Sequence, residues 1–301
     1  MQNATIFDKT RQRAQRNKYA SKIADYNFLI DHAAQSIIDR LSVITLKFDK
    51  VVIYGGRTPA KTLQKIISAL NAKTVFLCDY AENLCHDMAR TLPDTNILVV
   101  QSDAEWLPFA NHSLDACIGI FEHHSLNDLP GALVQAQRAL RPDGLFLTAM
   151  PGADTLYEMR EAMQRAELDL YGGMSPHIFP FADKQQYGAL MQRAGFALPV
   201  VDSEHLQVSY TNIFKLFHDL KSMGEGNYLT ARNKKNLSRH FFDTCEKIYR
   251  TENGFTDDAR FDVTFEIIHL IGWAPDKTKQ QQPLKPGSAD ASLTAILSSD
   301  E

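Results

Sequence analysis

The feature that most constrains this sequence is a regular alternation of short apolar runs with helical patterns between residues 50 and 150. The first run, 50–54, is ended by Gly55 and Gly56 and is followed by a helical pattern over 60–70. Similar apolar runs recur along the chain, at 74–78, 96–100, 114–121 and 145–150. Strands that alternate with helices predict a parallel sheet with right-handed crossover connections. The sequence therefore predicts a Rossmann-like α/β fold, with a mostly parallel sheet flanked by helices.

Helical patterns dominate on both sides of this core. Thr58 is expected to cap the helix after the first strand, and Pro59 to occupy its first position. A final segment rich in Lys, Gln, Pro, Ser and Asp is typical of a flexible tail. The predicted organisation is an N-terminal helical segment at 1–48, a Rossmann-like core at 49–150, a helical extension at 151–274 with late strands at 205–210 and 261–273 that complete the sheet, and a tail at 275–301.

Composition and charge exclude several classes of function. A net charge of -4 gives no electrostatic reason to expect nucleic-acid binding. The sequence contains no CxxC pair and no apolar stretch of the roughly 18 residues that suggest a membrane span. We therefore expect a cytoplasmic protein without a transmembrane segment. The basic run 9–22 is predicted to be an amphipathic helix that packs on the domain, and the alternative is an organelle presequence or a basic arm.

Residues that follow the first three strands predict a nucleoside cofactor. In a parallel sheet, ligands bind beyond the carboxyl ends of the strands, where Gly55 and Gly56 permit close approach of the backbone. Asp79, about 24 positions farther on, is placed to accept the two hydroxyls of a ribose. Asp103 is a candidate acceptor for the exocyclic amine of adenine. Neighbouring residues join these as candidate cofactor contacts: Tyr54, Tyr80, Ala104 and Glu105.

Several stretches resemble known motifs of class I S-adenosylmethionine-dependent methyltransferases. DAEWLPF at 103–109, SLD at 113–115, NDLP at 127–130 and ALRPDG at 139–144 resemble successive motifs of that family, especially of its members similar to the malonyl-carrier-protein methyltransferase of biotin synthesis.

A second set of stretches narrows the resemblance to mitochondrial complex I assembly factors with a methyltransferase fold and their bacterial relatives. These are DTLYE at 154–158, GGMSPH at 172–177, PF at 180–181, RAGF at 193–196, QVSY at 207–210, MGE at 223–225 and IGW at 271–273. The match runs from about Phe7 past Trp273.

The resemblance implies S-adenosyl-L-methionine as cofactor and a methyltransferase-like enzyme acting on a protein or carrier-linked substrate. Phe121 and His124 join the candidate cofactor residues, because the family has a His beside the bound ligand. The resemblance also implies a respiratory-complex subunit as one candidate partner. It leaves the reaction divided between methylation and the hydroxylation of a protein arginine, to which the mitochondrial relative is linked.

The glycine-rich loop departs from the family pattern at three positions. Ile53 replaces an acid in the first strand, and Arg57 and Pro59 replace two glycines. Arg57 either pairs with the cofactor's carboxylate or faces solvent in a loop that no longer binds cofactor. The second alternative predicts a non-catalytic assembly or binding factor on the same fold.

Three further sets of residues are open to interpretation. Asp154, Tyr157 and Arg160 follow the fifth strand and are candidate substrate contacts, with helix capping and surface pairing as the alternative. His177 is either a structural histidine or a base. The run of Glu122, His123 and His124 permits a metal site, but we expect this segment to line the cofactor cleft and predict no metal ion.

Overall fold

Seven strands form one sheet in the computed structural model, which describes residues 5–92, 96–235, 237–256 and 259–276. Their order across the sheet is β3-β2-β1-β4-β5-β7-β6, with β1 to β5 parallel and β7 antiparallel to both its neighbours. The strands are β1 (Lys50–Tyr54), β2 (Thr74–Asp79), β3 (Ile97–Gln101), β4 (Leu114–Ile120), β5 (Leu140–Pro151), β6 (Ala197–Tyr210) and β7 (Phe261–Trp273). The predicted mostly parallel, Rossmann-like sheet is confirmed.

Helices cover both faces of this sheet. They are α1 (Lys9–Tyr19), α2 (Phe28–Ser42), α3 (Ala60–Leu70), α4 (Glu82–Thr91), α5 (Leu129–Ala139), α6 (Tyr157–Tyr171), α7 (Lys184–Arg193), α8 (Ile213–Ser222) and α9 (Arg239–Glu252). Residues of α2, α3, α4, α6, α8 and α9 pack in one core cluster, and those of α5 and α7 in another.

The first strand shows why the central strands read as continuous apolar runs. Val51 and Ile53 enter one core cluster, whereas Val52 and Tyr54 enter the other. Both faces of the strand are therefore buried, and successive side chains, which point to opposite faces, must all be apolar. Ile53, which replaces the acid of the family pattern, is fully buried.

One expectation about the helices is wrong. Thr58 does not cap α3: Pro59 is the cap residue and the helix begins at Ala60. The helix predicted over the basic run 9–22 is α1, which ends at Tyr19, and a 3-10 helix at Ala20–Asp25 separates it from α2. This break turns α1 away from α2 and onto the strand ends.

The late strands extend the sheet beyond β5. The run 261–273 forms β7 as predicted, between β5 and β6. The strand predicted at 205–210 is the last part of β6, which begins at Ala197. Its first part was missed because, at the edge of the sheet, exposed and half-buried positions alternate there with weak apolar contrast. The predicted tail at 275–301 lies almost wholly outside the described residues.

Candidate functional site

The turns after β1, β2 and β3 meet at one place beyond the strand ends. A side chain added at Gly56 would place its Cβ 2.8 Å from the Asp79 carboxylate, so glycine is required for this close approach. The Ser102 amide donates to the Asp79 carbonyl at 3.0 Å, and the Tyr54 and Ser102 hydroxyls lie 3.2 Å apart. We call the space bounded by Gly55, Gly56, Asp79, Ser102 and Asp103 the cofactor cleft.

Helix α1 covers the cofactor cleft and places Arg16 in it. The Arg16 side chain is fully buried, with Nη1 2.7 Å from Glu122 Oε2 and 3.3 Å from Asp79 Oδ2. Its guanidinium carbon lies 4.7 Å from the centre of the Tyr80 ring. The carboxylate expected to bind a ribose is thus paired with a cation of the chain itself.

Asp79 and Glu122 share this single guanidinium, and their pKa values are shifted in opposite directions. Burial raises the pKa of Asp79, and the neighbouring Glu122 charge adds to the rise despite Arg16 and the Ala81 amide, which donates to Oδ1 at 2.8 Å. Burial also opposes ionisation of Glu122, but the closer contact with Arg16 outweighs it and holds its pKa below the usual range. Arg16 is therefore the charge on which the cleft depends.

Several buried polar atoms in and beside the cleft have no hydrogen-bond partner within the described chain. Buried polar groups are normally satisfied, so such a cluster is a place where water or a polar ligand can bind. The atoms are Arg16 Nε and Nη2, Tyr80 Oη, Glu122 Oε1, Gln12 Oε1 and Thr58 Oγ1.

The outer part of the cofactor cleft is a pocket of about 360 Å³, and its lining includes Lys9, Tyr80 and Asp103. Lys9 Nζ lies 3.6 Å from Asp103 Oδ1. Ala104 is fully buried behind this opening. Glu105, in contrast, accepts hydrogen bonds from the amides that lead into α5, so it holds that loop and does not face the cleft as a free acid.

Arg57 does not face solvent, which was one of its two expected alternatives, because its side chain is 1% exposed. Its guanidinium lies against residues of the helical extension, and a contact with the cofactor's carboxylate stays a prediction. Arg57 pairs with Glu225, and its guanidinium also donates to the carbonyls of Phe121 and Met223. Burial would raise the pKa of Glu225, but Arg57 and His124 hold it well below its usual range. Arg57 therefore fastens the glycine-rich loop to the extension.

A large apolar cavity of about 380 Å³ lies on the far side of Arg57 from the cofactor cleft. It reaches Phe121, directly after β4, and Pro151, at the end of β5. Two wall residues, Phe121 (φ 53°) and Leu156 (φ 55°), have left-handed backbone conformations, which side chains of this size rarely adopt and which concentrate at functional sites. We call this cavity the acceptor chamber.

The four candidate catalytic residues are not brought together. His177 lines the acceptor chamber, but its Nε2 lies 2.9 Å from Glu167 Oε2. Asp154 pairs with His205 at 2.9 Å, on an exposed rim. Arg160 donates to the carbonyls of the turn before α6. The Tyr157 hydroxyl is exposed, and the nearby Glu158 raises its pKa.

Glu122, His123 and His124 diverge and do not form a common ligand set. Glu122 pairs with Arg16, the His123 ring contacts Thr148 Oγ1 at 2.9 Å, and His124 Nε2 lies 3.2 Å from Glu225 Oε2. His124 and Phe121 thus belong to the chamber side of the site. The three ligand atoms within 4.8 Å of one another in the described chain come instead from Asp154, His205 and Glu266.

Sequence reasoning missed the two residues that organise the site, Arg16 and Glu225. Arg16 lies in a run so rich in charge that nothing marks one member for burial. Glu225 stands in the motif MGE at 223–225, where Gly224 has a φ of 81° and lies against both Arg16 and Arg57. A non-glycine residue would be strained there, so this glycine was the available signal.

Comparisons with known proteins identify the class to which this fold belongs. The family described as Methyltransferase domain matches residues 58–148. Among solved structures, a Bacillus halodurans protein provisionally described as a methyltransferase aligns with a TM-score of 0.56 at 14% identity, covering 80% of this chain and 98% of that one. The YcgJ protein of Bacillus subtilis aligns with a TM-score of 0.55 at 15% identity, covering 81% and 99%. The fold is that of the class I methyltransferases.

Curated relatives define the family more narrowly. The human protein named "Arginine-hydroxylase NDUFAF5, mitochondrial" is 36% identical over 295 residues, covering 96% of this chain and 82% of its own length. The Danio rerio protein of the same name is 34% identical, covering 98% and 90%. The malonyl-[acyl-carrier protein] O-methyltransferase of Gallionella capsiferriformans is 30% identical, covering 59% and 58%. The chain belongs to the NDUFAF5 family of methyltransferase-domain proteins.

These relatives correct one expectation from the sequence. A cytoplasmic location is contradicted, because the NDUFAF5 relatives are named as mitochondrial proteins. None of the helices within the described ranges combines the length and the apolar character that a bilayer-spanning segment needs.

Proposed function

We propose that the protein binds S-adenosylmethionine in the cofactor cleft and transfers its methyl group to a protein or carrier-linked substrate in the acceptor chamber. The observation that carries this proposal is the position of Arg57 between the two spaces. Its neighbour Gly56 lies against Asp79, whereas its guanidinium contacts Phe121, Met223 and Glu225, all of which line the chamber. A donor in the cleft and an acceptor in the chamber would thus lie on the two sides of the Arg57 side chain, which would have to move aside, because methyl transfer requires direct contact of the acceptor atom with the methyl group.

The residues of the cleft fit such a cofactor. Asp79 would accept the ribose hydroxyls, and Asp103 the amine of the adenine. Arg16 would pair with the carboxylate of the methionine part, for which a planar guanidinium is suited. This assignment also gives partners to the Arg16 Nε and Nη2 atoms, which are buried and unpaired. It requires Arg16 to leave Asp79, which its long side chain permits.

The cofactor supplies a methyl group already activated on a positive sulfonium, so the chain needs no dedicated base to activate the donor. The residues of the site have three tasks: to hold the donor, to orient the acceptor and to exclude water. Helix α1 performs the last of these, because Gln12 and Arg16 are fully buried beneath it over the strand ends.

The class of substrate is inferred from the relatives. Those named arginine-hydroxylases favour a protein arginine, and those named malonyl-[acyl-carrier protein] O-methyltransferases favour an acyl group on a carrier. A respiratory-complex subunit is the candidate protein partner under the first alternative. Methyl transfer is proposed over hydroxylation because the residues of the cleft match the groups of the methyl donor one by one.

A second candidate is a binding or assembly factor without catalysis. The observation that favours it is the ion pair of Arg16 with Asp79, because a cation of the chain itself then takes the place of the ribose. Under this alternative the unpaired atoms of the cleft would stay unpaired, and the chamber alone would bind a partner.

Ligand-dependent stability separates the two candidates. S-adenosylhomocysteine at about 100 times its dissociation constant stabilises a protein that binds it by about 2.7 kcal/mol. We expect the ligand to raise the urea midpoint by the amount that corresponds to this free energy. We also expect heat of binding in isothermal titration with the same ligand. An unchanged unfolding curve together with no heat of binding would exclude the methyltransferase and leave the binding factor.

A further inference from the structure

The acceptor chamber has an apolar interior and a cationic mouth. We propose that it binds an aliphatic chain that carries an anionic head group, with the chain inside the chamber and the head at its mouth. The inference rests on the proposed function only in taking this chamber as the substrate side of the site. It concerns binding, and the residues that carry it lie outside the cofactor cleft.

The walls of the chamber suit an aliphatic chain. A volume of about 380 Å³ lies within the range of small-molecule pockets, which are mainly apolar with a few placed polar groups. Apolar side chains, which are aromatic, branched aliphatic, methionine and proline, make up more than half of the lining. They include Phe179, Phe181, Phe217, Phe242, Phe265 and Leu220.

The acids in the lining do not oppose this occupant. Glu225 is neutralised by Arg57 and also contacts His124 and the Tyr228 hydroxyl. The Glu266 carboxylate packs against Gly152, where an added Cβ would lie 2.3 Å from Oε2, and accepts the amide of Asp154 at 3.0 Å. Glu225 is therefore paired with a cation, and Glu266 is held by a backbone amide at the end of β5, away from the mouth cations.

Four cations lie around the mouth, from three separate elements. They are Arg11 of α1, Lys221 of α8, and Arg232 and Lys235 of the segment before α9. Arg11 and Arg232 also hold the carbonyls of Asn227 and Leu229, so both guanidiniums are fixed in place. Arg232 Nη1 lies 3.4 Å from Asp8 Oδ2 as well, so part of its charge is already paired. Neither Lys221 nor Lys235 has an ion-pair partner for its ammonium within the described ranges.

This concentration of charge is not a general property of the chain. The whole sequence has a net charge of -4, so a group of four cations around one opening differs in sign from the chain as a whole. Cations lining a mouth attract anions and disfavour a free cation. A ligand with a carboxylate or phosphate at the mouth would pair with these cations, and its apolar chain would pack against the walls of the chamber.

Titration of the purified full-length protein with laurate tests the inference, followed by displacement of a fluorescent fatty acid. We expect saturable binding that strengthens about fourfold for each methylene along the series hexanoate, octanoate, decanoate and laurate, because each buried CH₂ adds a constant free energy. Dodecanol, with the same chain and a neutral head, should bind several-fold more weakly than laurate.

Variants then test the cationic mouth. Lys221→Gln combined with Lys235→Gln should weaken laurate binding about fivefold to tenfold and leave dodecanol unchanged. The matched control is Lys61→Gln combined with Lys65→Gln on α3, which removes the same charge from exposed positions outside the lining and should leave both affinities unchanged.

Three results would overturn the inference. They are the absence of saturable laurate binding, an affinity that does not change with chain length, and an equal loss of laurate and dodecanol binding in the double variant. Binding of a glutamate-rich peptide that depends on Lys221 and Lys235, without laurate binding, would assign the mouth to an acidic polypeptide and would also overturn it.

A parallel titration with S-adenosylhomocysteine separates this inference from the proposed function. Cofactor binding without laurate binding defeats the inference alone. Laurate binding without cofactor binding supports the chamber assignment and defeats the methyltransferase.

Discussion

The cofactor cleft and the acceptor chamber lie at the same edge of the sheet but differ in what fills them. In the cleft, Arg16 pairs with Asp79 and Glu122 under α1, so charges of the chain occupy its inner part, and an opening of about 360 Å³ remains at its outer part. The chamber has apolar walls and keeps a volume of about 380 Å³. The charged groups of the cleft can exchange their present ion pairs for ion pairs with a ligand. The apolar walls of the chamber need no such exchange, because they bind a ligand by van der Waals contact. The cleft is therefore expected to rearrange when it binds, and the chamber to be ready formed.

The largest expected effect comes from the loop that separates the two spaces. Arg57→Leu removes the cation from a buried pair and leaves Glu225 with His124 and Tyr228 only. Breaking a buried ion pair by removing one partner costs about 3–5 kcal/mol of unfolding free energy, measurable by urea denaturation.

Two controls show whether burial is the cause. Arg57→Leu combined with Glu225→Leu should recover most of the loss, because no unpaired charge remains. Arg165→Leu, which breaks an exposed pair with Glu252, should cost far less. A single-variant loss no larger than that of Arg165→Leu would contradict the role assigned to Arg57.

Acid should destabilise the protein through His123, which is buried behind the cleft. Burial lowers its pKa to about 4, whereas the unfolded value is about 6.5. The unfolded state therefore binds a proton before the folded state does, and the contribution present above pH 6.5 is lost as the pH falls to about 4. The expected loss is about 3 kcal/mol, measured as the urea midpoint against pH.

His123→Gln should flatten this dependence without abolishing it. A second buried histidine, His269, also has its pKa lowered to about 4 by burial, with Arg40 adding to the effect, so it retains part of the slope. A slope between pH 6.5 and 4 that is identical in the wild type and the variant would show that His123 does not carry the effect.

The cleft itself is tested by Asp79→Asn. Loss of the charge would weaken the two proposed hydrogen bonds to the ribose, each worth about 1.5 kcal/mol, so the affinity for S-adenosylhomocysteine should fall about a hundredfold in isothermal titration. Asp87→Asn on the exposed side of α4 is the matched control and should leave the affinity unchanged. Equal affinities in the wild type and Asp79→Asn would show that the cofactor does not bind in this cleft.

The smallest expected effect is that of Arg16, and it decides whether this side chain binds the ligand or blocks the cleft. Arg16→Gln should lower the affinity for S-adenosylhomocysteine about tenfold if the guanidinium pairs with the ligand carboxylate. A gain in affinity would mean that Arg16 only blocks the cleft. The analogue that lacks the methionine part, methylthioadenosine, provides the check, since Arg16→Gln should not weaken its binding.

Part of this site could be predicted from the sequence because it depends on local order along the chain. Gly55, Gly56 and Asp79 follow consecutive parallel strands, and parallel strands end at one edge, so their meeting was predictable. Arg57 could be seen as a departure from the family pattern, but its ion pair with Glu225 could not be predicted, because Glu225 lies 168 positions away along the chain.

The sequence by itself determined the alternation of strands and helices, and with it the sheet, the edge where ligands bind and the acids that follow the strands. Only the tertiary structure decided which cations reach those acids. Arg16 comes from a helix before the sheet and Glu225 from a loop long after it, and neither has a periodic or adjacent signal. Long-range pairs of this kind depend on how separate elements pack, because the energy of a buried charge is set by its neighbours in space.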